Sequence, residues 1–142
     1  MIYLDAAYIA KFYVDEPDSE RVRKFLATSW DAASCLHAMA EVASVFHRKL
    51  REGTMPQADF DNFCAQFDSD CAAGLWTWLA FPESLAHAAR RRISKHPSTT
   101  FLRAADALHL TCAAEAGCAA IYTSDRHMIA AALAFGLQAV TL

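Results

Sequence analysis

Glycine and proline are scarce, four of each in 142 residues, which leaves little room for flexible linkers or a boundary between domains. The chain is read as one domain, residues 1–142, long enough to bury roughly two-thirds of its unfolded surface. No apolar run approaches the ~18 residues of a membrane span, and the start MIYLDAAYIAKF carries no basic leader region or cleavage site. The expectation is a cytoplasmic protein with no membrane segment. The five cysteines are odd in number and form no CxxC pair, so reduced core thiols are expected rather than a disulfide framework or structural zinc. No GxGxxG or GxxxxGK[ST] stretch exists for a dinucleotide or a nucleoside triphosphate. The six histidines show no HExxH and no pair at i, i+4, which disfavours zinc held by histidine. Basic residues are outnumbered 13 to 16, for a net charge of −3. That disfavours simple electrostatic coating of nucleic acid, though not an enzyme whose metal ions supply positive charge.

What is abundant is apolar: 55% hydrophobic residues against 20% charged, the composition of a packed globular chain. Ile2-Tyr3-Leu4 reads as a short strand, followed by Asp5 and the helical spacing of AAYIAKFYV. Residues 19–28 form an amphipathic helix with Val22, Phe25 and Leu26 on its apolar side. Residues 30–36 read as a second strand, His37 to Arg51 as a helix ended by Gly53, and Pro56 opens another helix running to about Cys71. Residues 75–81 read as a third strand and 82–96 as a helix. The stretch 101–115, FLRAADALHLTCAAE, is apolar on nearly every side and reads as an interior helix, with Ser98, Thr99 and Thr100 as candidate caps. Residues 119–124 give a fourth strand, Asp125 leads the helix RHMIAAALAF, and LQAVTL is a final strand. Strands alternating with helices predict an α/β fold, a mostly parallel sheet with helices on both faces.

Four carboxylates fall in apolar surroundings. Asp5 and Asp125 follow strands, where in an open parallel sheet function collects, although each is also a good helix N-cap. Glu41 lies in a narrow polar stripe with His37, Ser44 and Arg48, where a weak contact to Arg48 would suffice to explain it. Asp106 interrupts the interior helix, and an uncompensated buried carboxylate costs several kcal/mol. Arg103 and His109, at i−3 and i+3, are its local candidate partners; a cation shared with the other three acids is the alternative. Oxygen-only ligands suit Mg²⁺ or Mn²⁺, and such ions activate water and stabilise the leaving oxygen of a phosphodiester.

MIYLDAAYIAKFY at the start, the AEVASVFHRK helix, RAADALHL and IYTSDRHMIAAALAFGL together resemble the PIN-domain ribonucleases, within them the VapC-type toxins of toxin–antitoxin pairs. The likeness spans the whole chain, and RAADALHL is its most specific part. It implies a PIN-like fold, a catalytic and metal-binding quartet at Asp5, Glu41, Asp106 and Asp125, and Mg²⁺ or Mn²⁺ as cofactor. It further implies endonucleolytic cleavage of RNA, a homodimer, and a cognate antitoxin lying across the acidic groove. One departure is Ala6-Ala7, where such proteins usually carry Ser or Thr; Thr123 remains available to supply a hydroxyl.

Two rival readings stand beside this one. Ala6-Ala7 favours an interaction module that binds an antitoxin or RNA without efficient cleavage, and distant relatives suggest a nuclease for DNA or flap substrates, which the short chain argues against. Arg48, Lys49, Arg51, Arg90, Arg91, Arg92 and Lys95 could meet RNA phosphates, but a solvated surface explains them as well. His109 is expected to be a hydrogen-bonded core residue.

Overall fold

The structure is a computed structural model and describes residues 1–28 and 31–142. Its five strands are β1 (Ile2–Leu4), β2 (Ala32–Cys35), β3 (Thr77–Leu79), β4 (Ala120–Tyr122) and β5 (Gln138–Val140). They form one sheet in the order β3-β2-β1-β4-β5, and every neighbouring pair is parallel. Parallel neighbours need crossovers, here made by helices. The helices are α1 (Ala6–Tyr13), α2 (Ser19–Ala27), α3 (Ala38–Arg51), α4 (Gln57–Ala72), α5 (Glu83–Lys95), α6 (Ala104–Glu115) and α7 (Arg126–Ala132), with a 3₁₀ turn at Leu133–Phe135.

Successive strand residues point to opposite faces, and β1 separates the core into two halves accordingly. Leu4 joins Tyr8, Ile9, Val22, Val42, Phe46 and Phe67, under α1 to α4. Tyr3 joins Leu85, Leu110, Ile121, Met128 and Phe135, under α5 to α7. Phe46 and Leu110 are fully buried, and truncating either to Ala would cost about 2–5 kcal/mol. The α/β expectation, helices on both faces, is thus met. Among the described residues, no helix is long and apolar enough to cross a membrane.

Element boundaries move inward from the expected ones, and Trp30 lies outside the described residues. The interior helix shows the largest change. It starts at Ala104, with Arg103 rather than Ser98, Thr99 or Thr100 at the N-cap. The Ser/Thr stretch is used in a turn closed by Thr100 N–H on the Pro97 carbonyl at 3.0 Å. Asp106, the third helical residue, instead reaches back to the Arg103 backbone N–H at 3.4 Å. An acid in the first turn complements the helix dipole. At the far end of α7, Gly136 takes φ +77°, a conformation that costs other residues about 1–2 kcal/mol.

Candidate active site

The strand order reverses at β1: β2 and β3 build outward on one side, β4 and β5 on the other. The carboxyl ends of β1 and β4 therefore flank a switch point, where ligands of open α/β sheets bind. Asp5 and Asp125 leave those two ends as the N-caps of α1 and α7.

Asp5 is buried. One of its oxygens accepts from Tyr8 N–H at 2.8 Å and the other from the Thr123 hydroxyl. Burial pushes its carboxyl above the usual range, against the pull of the Thr123 and Tyr8 hydrogen bonds. Thr123, fully buried, also accepts from Asp125 N–H at 3.0 Å. A single hydroxyl thus links the caps of two helices, and it does so from the residue that follows β4, where Ala6-Ala7 on α1 have no hydroxyl to offer.

Asp125 accepts from His127 N–H at 2.7 Å and Met128 N–H at 3.2 Å, and from Arg103 Nη2 at 2.5 Å. Burial opposes its charge, but these backbone donors and the guanidinium outweigh burial and hold its carboxyl below the usual range. Arg103 also binds Asp106, Nε to Oδ2 at 2.8 Å and Nη2 to Oδ1 at 3.2 Å. The local ion pair is therefore what compensates buried Asp106, and His109 is not its partner.

Glu41 extends from the first turn of α3 and is one-third exposed. Its Oε2 accepts from His109 Nε2 at 2.7 Å. Burial raises the cost of its charge, yet the His109 hydrogen bond, with His37 and Arg103 nearby, holds the carboxyl below its usual range. The proposed contact to Arg48 does not occur among the described ion pairs. His109 is a hydrogen-bonded core residue as expected, its Nδ1 2.9 Å from the Tyr3 hydroxyl.

Three of the four acids are joined in a chain: Asp5 to Asp125 through Thr123, and Asp125 to Asp106 through Arg103. Glu41 is tied to the same helix as Asp106 through His109. The four do not form a cluster of directly adjoining oxygens. Among the described residues, the group of His, Cys, Asp and Glu donors lying within 4.8 Å of one another is His37, Glu41 and His109. Of the basic residues, Lys49 pairs with Glu16 at 2.6 Å and Arg92 with Glu115 at 3.2 Å. Arg48, Arg51, Arg90, Arg91 and Lys95 are exposed.

A family model for the PIN domain matches residues 2–134. The chain belongs to the PIN domain family. Its fold is similar to that of VapC20 from Mycobacterium tuberculosis, described as a sarcin–ricin loop cleaving toxin. The TM-score is 0.73 at 14% identity, covering 92% of this chain and 95% of that one. It is also similar to FitAcB from Neisseria gonorrhoeae, with a TM-score of 0.77 at 18% identity over 98% of this chain and 96% of that one. FitAB bound to an IR36 DNA fragment matches with a TM-score of 0.70 at 18% identity over 99% and 94%. No curated protein sequence matches the chain significantly.

Two neighbours of these acids were placed only by the fold. Arg103 was visible as a neighbour of Asp106, but its reach to Asp125, 22 residues away, was not. His37 stood in the polar stripe of Glu41, and nothing in the sequence paired that stripe with His109, 68 residues beyond Glu41.

Proposed function

We propose that this PIN domain is a divalent-metal-dependent endoribonuclease, the toxin of a toxin–antitoxin pair, with Asp5, Glu41, Asp106 and Asp125 as its acidic site. The observation that carries this reading is the Arg103 guanidinium, on which Asp106 and Asp125 converge. Two carboxylates from different elements aimed at one positive charge define a place that favours a cation. The donor set suits Mg²⁺ or Mn²⁺, being all oxygen. Both Asp5 oxygens, Asp106 Oδ1 and Asp125 Oδ2 each accept one hydrogen bond and keep a lone pair, whereas Asp106 Oδ2 and Asp125 Oδ1 each accept two. Such an ion, once bound, supplies an activated water and neutralises the charge of the scissile phosphate.

The chain's own residues do the positioning. Tyr8 N–H and Thr123 fix both oxygens of Asp5, and the α7 N-terminus fixes one oxygen of Asp125. Arg103, held by Asp106 and Asp125 yet half exposed, would offer a substrate phosphate a planar bidentate match once a metal ion takes over the carboxylates. His109 keeps a proton on Nε2 toward Glu41, so that this acid stays ionised and oriented. The similarity to VapC20 and FitAcB supports an antitoxin partner, and the description of VapC20 as a sarcin–ricin loop cleaving toxin supports RNA as substrate; a homodimer is the working form that goes with this reading. The test is cleavage of total cellular RNA with Mg²⁺ or Mn²⁺, beside EDTA and Asp106→Asn. Equal cleavage in all three would refute the metal mechanism.

A second reading is favoured by Ala6-Ala7. In it the domain binds an antitoxin or RNA without efficient cleavage. Calorimetric titration with Mn²⁺ separates the two, since absence of binding at millimolar metal supports the interaction module.

A further inference from the structure

His37, Glu41 and His109 bring two imidazoles and one carboxylate together, each offering a donor atom within 4.8 Å of the others. His37 is the N-cap of α3 and Glu41 follows one turn later on the same face. His109 approaches from α6 on the other side, with its ring centroid 4.4 Å from that of His37. Neither buried ring nitrogen of His37 makes a hydrogen bond of good geometry, the Cys35 thiol and the Ala105 backbone being its neighbours, and His37 Nε2 stands 3.5 Å from Glu41 Oε2. A buried polar atom left without a partner is unusual and costs about 1–3 kcal/mol. His109 is oriented from behind, Nδ1 on the Tyr3 hydroxyl, and that hydroxyl is itself held by Cys35 N–H at 3.1 Å. An imidazole fixed by a hydrogen bond at one nitrogen, so that the other is presented toward a shared ion, is the usual arrangement of a metal-binding histidine.

We propose that His37, Glu41 and His109 form a site for a first-row transition-metal cation of the Zn²⁺ type, which shares Glu41 with the acidic site and adds two imidazoles to it. Imidazole nitrogen selects Zn²⁺, Co²⁺ or Ni²⁺ over Mg²⁺. Tetrahedral zinc with bonds of about 2.0–2.1 Å sets its donors about 3.3 Å apart. The His37–Glu41 separation of 3.5 Å already matches, and the His109–Glu41 separation of 2.7 Å has to open by about half an ångström. Binding replaces the His109 Nε2–H bond to Glu41 by bonds from both residues to the ion. The ring remains neutral by carrying its one proton on Nδ1, where the Tyr3 oxygen accepts it. Three protein donors leave a fourth position for water, reached past the part-exposed Glu41. If Glu41 also serves the acidic site, which rests on the function proposed above, the two sites compete for it. Transition metal then opposes Mg²⁺-dependent cleavage.

The site is tested on the whole chain by titration with Co²⁺, read as visible d–d absorption, which does not depend on RNA cleavage. One equivalent of Co²⁺ is expected to give the band and Zn²⁺ to abolish it, while Mg²⁺ is expected to weaken it only in large excess, through competition for Glu41. His37→Ala is expected to weaken Co²⁺ binding by at least about tenfold, and Asp106→Asn to leave it at the parental value. Should His37→Ala not fold, His37→Asn retains the N-cap and removes the imidazole. Parental Co²⁺ affinity in the His37 variant, absence of the band, or its loss in Asp106→Asn overturns the proposal. Failure of the RNA assay with the Co²⁺ pattern intact overturns only the nuclease reading.

Discussion

Arg103 and Asp125 meet at 2.5 Å across the mouth between α6 and α7, and the same guanidinium grips Asp106. This cation binds where two buried or half-buried acids would otherwise repel one another. It is an internal counter-ion for the site, and its removal exposes what the acids cost.

Arg103→Gln is therefore expected to destabilise the protein in EDTA by about 1–2 kcal/mol, from Asp106 left buried without its charged partner. That corresponds to a fall in Tm of about 2–8 °C. Mn²⁺ should restore more of the lost Tm in this variant than it adds to the parent, because the ion no longer competes with a guanidinium. Thermal melts of both proteins with and without Mn²⁺ decide this; equal Mn²⁺ shifts would remove the idea that Arg103 occupies the cation's place.

Asp5 and Asp125 should respond to pH with opposite sign. The Asp5 carboxyl is raised by burial, so its neutral form stabilises the fold below the unfolded value of 3.8. That contribution is lost as pH climbs through the folded value. Asp5→Asn keeps an acceptor for the Tyr8 N–H, while its NH₂ can only donate to the Thr123 oxygen and turns that hydroxyl toward Met128 Sδ. In EDTA it should melt above the parent at pH 7, the gap closing toward pH 4. Asp125, held low by the α7 N–H groups and Arg103 after they overcome burial, stabilises above 3.8 and loses that contribution as pH falls through its folded value. Asp125→Asn should accordingly be destabilised at pH 7 and converge with the parent in acid. Melts across pH 3 to 7 that run in parallel for both variants would contradict this assignment.

Thr123→Val deletes the hydroxyl shared by Asp5 and the Asp125 N–H while conserving shape. The loss should cost about 1–3 kcal/mol, since two buried groups then lack a partner. It should also weaken Mn²⁺ binding by about 10- to 100-fold, the usual effect of removing an outer-shell support. Thr123→Ser, which retains the hydroxyl, should recover most of both. Calorimetry on the pair checks it, and a Ser variant as impaired as the Val variant would mean that packing alone matters.

Asp106→Asn should reduce metal-dependent RNA cleavage by more than the roughly 10- to 100-fold of an outer-shell change. Cleavage of labelled total RNA at fixed Mn²⁺ measures it. Near-parental cleavage would place Asp106 outside the acidic site and leave it as the partner of Arg103.

Much of this was legible in the linear chain because local chemistry dictates it. The short apolar run Ile2–Leu4 followed by Asp5 could only be a strand passing into a capped helix, and the same logic placed Asp125 after β4. The alternation of strand and helix required parallel pairing, which the sheet has. The four apolar-set acids stood out because charge is expensive away from water. How those acids are compensated depended on tertiary structure. Arg103 reaches Asp125, Thr123 reaches Asp5 and His109 reaches Glu41 across separations of 22, 118 and 68 residues. Such contacts carry no periodicity, since they exist only once the sheet order has brought β1, β4 and α6 to one edge. The start of α6 was decided in the same way: a Ser/Thr stretch with good capping chemistry gave way to Arg103, because Asp106 and Asp125 together hold that arginine in place.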